Sequence, residues 1–343
     1  MTNTSEKHVP VTSTNLHALR VAYGPGIALS TVTALAATFV SEHYGGPPFL
    51  YALFFGISFN FLGTDPRTQP GVDFAARSIL RFGVALLGVR VSLDQIASLG
   101  VLHVSLVIIG LAATIGFGMW LSRIMKRPLA EGLVTGGAVA ICGASAALAI
   151  AAVLPRDARS TKFTLVTVVG VTLLSTIAMV FYPILVRLAN FDATLAGIFL
   201  GGTIHDVAQV VGAGYSISPE TGDNAALVKL LRVALLLPVV LVCALVFRAR
   251  ADQYTRAPLL PWFLIVFGAL VVVSSAGWVP TTMKEGMSDV SRWCLVTAIA
   301  ALGIKTSFKD FAGLGWRPIA LMVAESVFLA SILFGALLVS REF

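Results

Sequence analysis

Long apolar runs separated by short polar or basic connections dominate the chain. A helix needs about 20 residues to cross roughly 30 Å of hydrocarbon. On that rule the pattern predicts spans near 21–40, 47–63, 74–92, 99–122, 162–188, 224–247, 259–278, 289–307 and 318–340. Two further segments, 129–154 and 193–215, are apolar but rich in glycine and small polar residues. Each either crosses fully as an interrupted helix or re-enters as a hairpin. The expected fold class is an all-α integral membrane protein with about 9–11 transmembrane helices. Residues 1–20 form a polar tail, and 21–343 read as a single polytopic membrane domain.

Composition sharpens this. Of 343 residues, 57% are hydrophobic and only 12% charged, with mean hydropathy +0.89. Soluble chains carry about 25% charged residues, so too few ionised groups exist here to solvate a water-exposed surface. A soluble enzyme, a disordered chain and a nucleic-acid-binding module are excluded. The net charge of +7 is dispersed between apolar runs rather than gathered in one patch. Arg67, Arg123, Lys126, Arg127, Arg248, Arg250, Arg256, Lys309 and Arg317 all fall in connections that an inside N-terminus would place in the cytoplasm. Arg156, Arg159 and Lys162 join them only if 129–154 re-enters. The tail has no apolar leader, so Val21–Val40 is expected to act as an uncleaved signal-anchor. Cys142, Cys243 and Cys294 are far apart in apolar runs, which suits packing rather than a disulfide or a metal site.

The chain also repeats itself. Leu19–Ala22 recurs as Leu231–Ala234, Phe55-Gly56 as Phe267-Gly268, and Leu87–Gly100 as Leu302–Gly315, with Arg90 against Lys305. The offset stays between 212 and 215 residues. Copies at about 21–122 and 224–340 would flank a central segment at about 129–215, and an odd number of segments between them makes the copies inverted. Inverted repeats with interrupted helices are typical of secondary transporters.

Ionisable groups within the hydrocarbon are costly and need a reason. Only 15 residues separate Arg232 from Arg248, about 22 Å of helix, which draws Arg232 and Lys229 inward. Arg90 and Lys305 end similarly short segments; snorkelling to the interface is the competing reading. The tract Cys142-Gly143-Ala144-Ser145 would let a helix unwind and aim backbone amides at an anion. The second tract holds Thr203, His205, Asp206 and Gln209, whose helical spacing puts the polar groups on one face. Glu325 is expected to pair with a basic residue.

Ile141–Pro155, Gly201–Ser218, Lys229–Pro238 and Leu86–Leu93 resemble the sulfate exporter family of YeiH-type bacterial inner-membrane proteins. The likeness runs over nearly the whole chain. It implies a fold of the cation/proton antiporter and anion transporter superfamily, a multi-pass inner-membrane location, and export of sulfate or a related small anion. In that superfamily the broken helices occupy equivalent repeat positions, whereas here both glycine tracts fall between the sequence repeats.

The expected function is a secondary transporter of a small inorganic or organic anion, working by alternating access with proton coupling through His205 and Asp206. Arg90, Lys229, Arg232 and Lys305 would offset the anion's charge, while amides near Gly143–Ser145 and the Thr203 hydroxyl would bind its oxygens. A cation/proton antiporter using Asp206 is the alternative. An intramembrane enzyme built on Cys142, Ser145 or His205 is a distant one, since H-E-x-x-H and G-x-S-x-G are absent. The chain is therefore read as a non-enzyme, and neither cofactor nor metal is expected. Its partners are the anion and the lipid bilayer, not nucleic acid; a homodimer is compatible with the sequence.

Overall fold

The computed structural model describes residues 13–154, 158–247, 261–306 and 316–341, and every regular element among them is helical. α1 (Ser13–Tyr44) leads to α2 (Pro48–Ser58), a single turn α3 (Asn60–Gly63), α4 (Gln69–Phe74), a π-helical turn (Ala75–Ile79) and α5 (Leu80–Leu87). Next come α6 (Leu93–Ser98), α7 (Gly100–Ile124), α8 (Leu129–Ala140), α9 (Ala144–Ala152) and α10 (Ala158–Leu188). They are followed by α11 (Ala193–Thr203), α12 (Val207–Tyr215), α13 (Pro219–Phe247), α14 (Trp262–Ser275), α15 (Thr281–Lys305) and α16 (Trp316–Ser340).

Six of these helices, α1, α7, α10, α13, α15 and α16, are each long and apolar enough to span a bilayer. The two glycine-rich segments do not cross. α8 stops at Ala140, and the chain turns through Ile141 (φ −115°, ψ −83°) and Gly143 (φ +61°, ψ −127°). Ile150 of α9 then lies against Gly137 of α8, which an uninterrupted helix would hold about 20 Å away. Arg127, just before α8, sits 5.7 Å over the Phe163 ring near the start of α10. Thus α8 and α9 enter and leave by one face. α11 and α12 do the same from the other face: Arg187 near the end of α10 donates to the Ser216 carbonyl just past α12, at 3.0 Å. Ile204 and Asp206 are extended (ψ 139° and 147°), which reverses the chain at that tip.

The first hairpin returns Lys162 to the face of Arg127, as re-entry requires; Arg156, Arg248, Arg250, Arg256 and Lys309 lie outside the described residues. Other contacts fix the remaining directions. Phe49 of α2 stacks on Tyr215 at the far face, Asn60 bonds the Ile304 carbonyl at the basic face, and Arg90 beyond α5 reaches Asp223 at the far face. Arg341 bonds the Ala189 carbonyl, so α16 ends at the far face. α2–α3, α4–α5 and α14 therefore make three shorter passes. Among the described residues these passes run between the same two faces as the six long helices.

Packing separates two bundles. α1, α2, α4, α5, α14 and α15 form one; α7, α10, α13, α16 and both hairpins form the other, with α12 making the main contact across to α2 and α15. Lipid offers no hydrophobic drive for helix association, so close approach through small residues carries the packing. Gly56 of α2 and Gly303 of α15 meet so closely that a methyl on either would lie 2.9 Å from the other's Cα. Gly26 against Gly71 and Gly118 against Gly132 repeat the device. This division cuts across the boundaries of the sequence repeats.

Candidate functional site

The hairpin tips, Ile141–Gly143 and Ile204–Asp206, meet inside the second bundle, and α13 pins them together. Arg232 donates through Nε to Ala140 O (2.8 Å), through Nη1 to Gly201 O (2.9 Å) and Ile204 O (3.0 Å), and through Nη2 to Val139 O (2.8 Å). Lys229 Nζ donates to Ile141 O (2.7 Å) and Ile204 O (2.9 Å). These carbonyls end α8 and α11, where a helix leaves its last C=O groups unpaired and carries partial negative charge. Both cations are fully buried. The charge that looked available to a bound anion is thus spent on the C-terminal ends of two half-helices.

The N-terminal ends are a different matter. α9 and α12 both begin at the tips, so both direct their amide ends there. Ala144, Ser145, Asp206 and Val207 are the residues of this crossing that keep solvent-accessible surface. The Asp206 carboxylate does not cap its own helix; it lies against Gly143, the residue before α9, while the Asp206 amide donates to Ser175 Oγ on α10 at 3.0 Å. Gly143 is required twice over: its positive φ suits only glycine, and a β-carbon would run into that carboxylate.

His205 is held on both sides. Nδ1 meets Val139 O at 3.1 Å and Nε2 meets Ser326 Oγ at 2.9 Å. A neutral ring with hydrogen on Nδ1 donates to Val139 O, and Nε2 accepts from Ser326 when that hydroxyl turns its one hydrogen away from Met322 O, 2.7 Å off on its own helix. This binds the second tip to the first hairpin and to α16. Gln209 lies in the first turn of α12, with Nε2 3.4 Å from Thr176 Oγ1 and Oε1 buried without a partner among the described residues. The helical spacing predicted for His205, Asp206 and Gln209 does not apply, because the tip is extended where a helix was expected. Thr203 spends its hydroxyl hydrogen on Phe199 O (2.6 Å), so it cannot donate to a substrate. Cys142 is a buried free thiol.

Arg90 and Lys305 are not brought to the crossing. Arg90 pairs with Asp223 at 3.4 Å and sits 5.4 Å over the Tyr215 ring at the far face. Lys305 pairs with Asp73 at the basic face. Arg90 and Lys284 share a cavity of about 600 Å³ with Asp223, Glu285 and Asp289. Because Arg90 belongs to one bundle and Asp223 to the other, their pair ties the bundles together. It is partly exposed, so Arg90→Ala is expected to lower stability by only about 0.5–1 kcal/mol, read as a small fall in melting temperature. Glu325 has no basic partner among the described residues. Its partner is Thr135, at 2.7 Å.

Sequence reasoning found the two tips and both cations. It missed Ser326 and Ser175, which come from helices distant in the chain, and the carbonyls at Val139, Ala140 and Gly201, which no side-chain pattern announces.

The arrangement defines a polytopic membrane protein with two opposed re-entrant hairpins meeting at a charged crossing. The chain belongs to the family described as Conserved hypothetical protein 698, which matches residues 25–322. It is 52% identical to a UPF0324 membrane protein of Chlorobaculum tepidum, over 92% of this chain and 89% of that one. It is 53% identical to the UPF0324 membrane protein TauZ of Paracoccus pantotrophus, over 89% and 92% respectively. A UPF0324 membrane protein of Rhizobium meliloti is 48% identical over 90% of each chain. No solved structure matches.

Proposed function

We propose that the chain is a secondary transporter, acting as an exporter, of a small anion such as sulfate. The observation that carries this reading is the paired half-helix N-termini at the tips, with the opposing C-terminal ends already neutralised by Lys229 and Arg232. Discontinuous helices that point their amide ends at one place are the usual substrate site of secondary transporters. Helices matched by the sequence repeat also run oppositely: α1 leaves the basic face, whereas α13 arrives there.

Asp206 gives the site its logic. Its carboxylate lies against Gly143 beside the amide end of α9, so an anion bound at that end would face its negative charge. Protonating Asp206 relieves the repulsion and leaves the amide ends of α9 and α12 to hold the anion. A proton and the anion then bind together, which is coupling. His205, bonded on both nitrogens, acts as a structural tie. Alternating access follows from the hairpin bundle moving against the other, across the contact of α12 with α2 and α15. The antiporter alternative keeps Asp206 as a cation ligand, but two buried cations at the same crossing repel such an ion.

Purified protein in proteoliposomes is expected to exchange radiolabelled sulfate saturably, faster when the pH gradient supplies protons with the anion. Asp206→Asn should remove that pH response while retaining exchange. Sulfate and sulfite fluxes equal to those of empty liposomes would reject the anion reading.

A further inference from the structure

Glu325 is fully buried where α16 meets α7 and α8. Its Oε1 lies 2.7 Å from Thr135 Oγ1, while Oε2 has no hydrogen-bond partner among the described residues. Among the described residues no cation reaches it. Thr135 has one hydroxyl hydrogen but also faces Glu131 O at 3.1 Å and Gly132 O at 3.5 Å. An ionised carboxylate here would hold at most one hydrogen bond, and low-dielectric surroundings make that costly. A neutral acid fits without conflict: Glu325 donates to Thr135 Oγ1, and Thr135 donates to Glu131 O along its own helix.

The surroundings say what ionisation would demand. From α7, Gly118 lies directly against Oε1, and Gly118 and Gly132 pack backbone to backbone beside it. The charged groups nearest on the side of α8 are Glu131 and, just before that helix, Arg127, paired with each other at 2.5 Å. On α16 the next residue, Ser326, holds His205 of the second tip, behind which lie Lys229 and Arg232. Adjacent residues of α16 therefore grip the two hairpins: Glu325 the first through Thr135, Ser326 the second through His205. A carboxylate could be hydrated only if α16 parted from α7 and α8.

We propose that Glu325 is a proton-binding site whose occupancy holds α16 against the first hairpin, and that release of its proton to water accompanies opening of this packing. Its place in a transport cycle rests on the function proposed above, but the chemistry does not. The site is separate from Asp206 and would carry a proton of its own.

Glu325→Gln mimics the neutral acid in shape and hydrogen bonding, so the variant should fold with nearly unchanged melting temperature. Infrared spectra of the lipid-embedded wild type should show a protonated-carboxyl C=O band lost on alkaline titration and absent from Glu325→Gln. Hydrogen exchange of α8 and α16 amides, corrected for intrinsic pH dependence, should rise at least several-fold with pH in the wild type and stay flat in the variant. The same titrating band in both proteins, or the same pH response of exchange, would overturn the proposal. A wild type that moves no sulfate would remove the transport reading and leave the proton site to these two measurements.

Discussion

Arg232→Ala is expected to destabilise the protein by at least about 4 kcal/mol, which places it among the most damaging single changes available. Four charged hydrogen bonds are lost together; Ala140 and Gly201 are left without a donor, while Val139 keeps His205 and Ile204 keeps Lys229. Hydrogen bonds to a charged donor contribute about 1.5–3 kcal/mol each, and a buried acceptor left unpaired costs about 1–3 kcal/mol. Lys229 can cover Ile204 only, since it already serves Ile141 and Ile204. Arg232→Lys restores the charge but not the planar fork that reaches both hairpins, so about half of the loss should remain. Melting in detergent, with monodispersity as a second reading, measures both variants. A melting temperature for Arg232→Ala within a degree of the wild type would mean that the carbonyls have other partners. The expected loss of transport then reports a collapsed crossing rather than a missing substrate contact.

This reverses the role that the sequence suggested for Arg232, and the reason is physical. Apolar runs mark where helices lie, because their length against the hydrocarbon thickness is a one-dimensional quantity; six of the predicted spans stand as long apolar helices, and the others hold shorter or broken ones. Glycine and small polar residues also mark where helices break. What a linear pattern cannot carry is which way the chain leaves a break. Re-entry is decided by contacts such as Ile150 on Gly137 and Arg127 on Phe163, between residues whose own sequence neighbourhoods look ordinary. A buried arginine reads as a hint of bound anion, yet the nearest negative ends are the carbonyls of α8 and α11, which no side chain announces. Arg90 and Lys305 matched across the repeat because both end a pass, and a pass ends at a face rather than at the middle. Asp206 and His205 were legible as costly neighbours; that one faces the amide end of α9 and the other ties the hairpins depended on an extended tip.

Gly143→Ala tests that tip directly and should cost about 3 kcal/mol or more. Holding a non-glycine residue at φ +61° and ψ −127° carries strain of about 1–3 kcal/mol. The added methyl also collides with the Asp206 carboxylate. The two causes separate in a double-mutant cycle. Asp206→Ala removes the obstacle, so Gly143→Ala should cost less in that background, with a coupling of about 0.5–3 kcal/mol, as for side chains in contact. The backbone strain remains in either background. Melting temperatures of the four proteins give the cycle, and strictly additive effects would show that the carboxylate does not rest on Gly143. Transport should fall at least ten-fold in Gly143→Ala, because the strained tip no longer holds the amide end of α9 in place. The double variant regains part of its stability without regaining pH-dependent flux, since the proton acceptor is gone. That split between stability and coupling distinguishes a carboxylate that competes with substrate from one that merely packs.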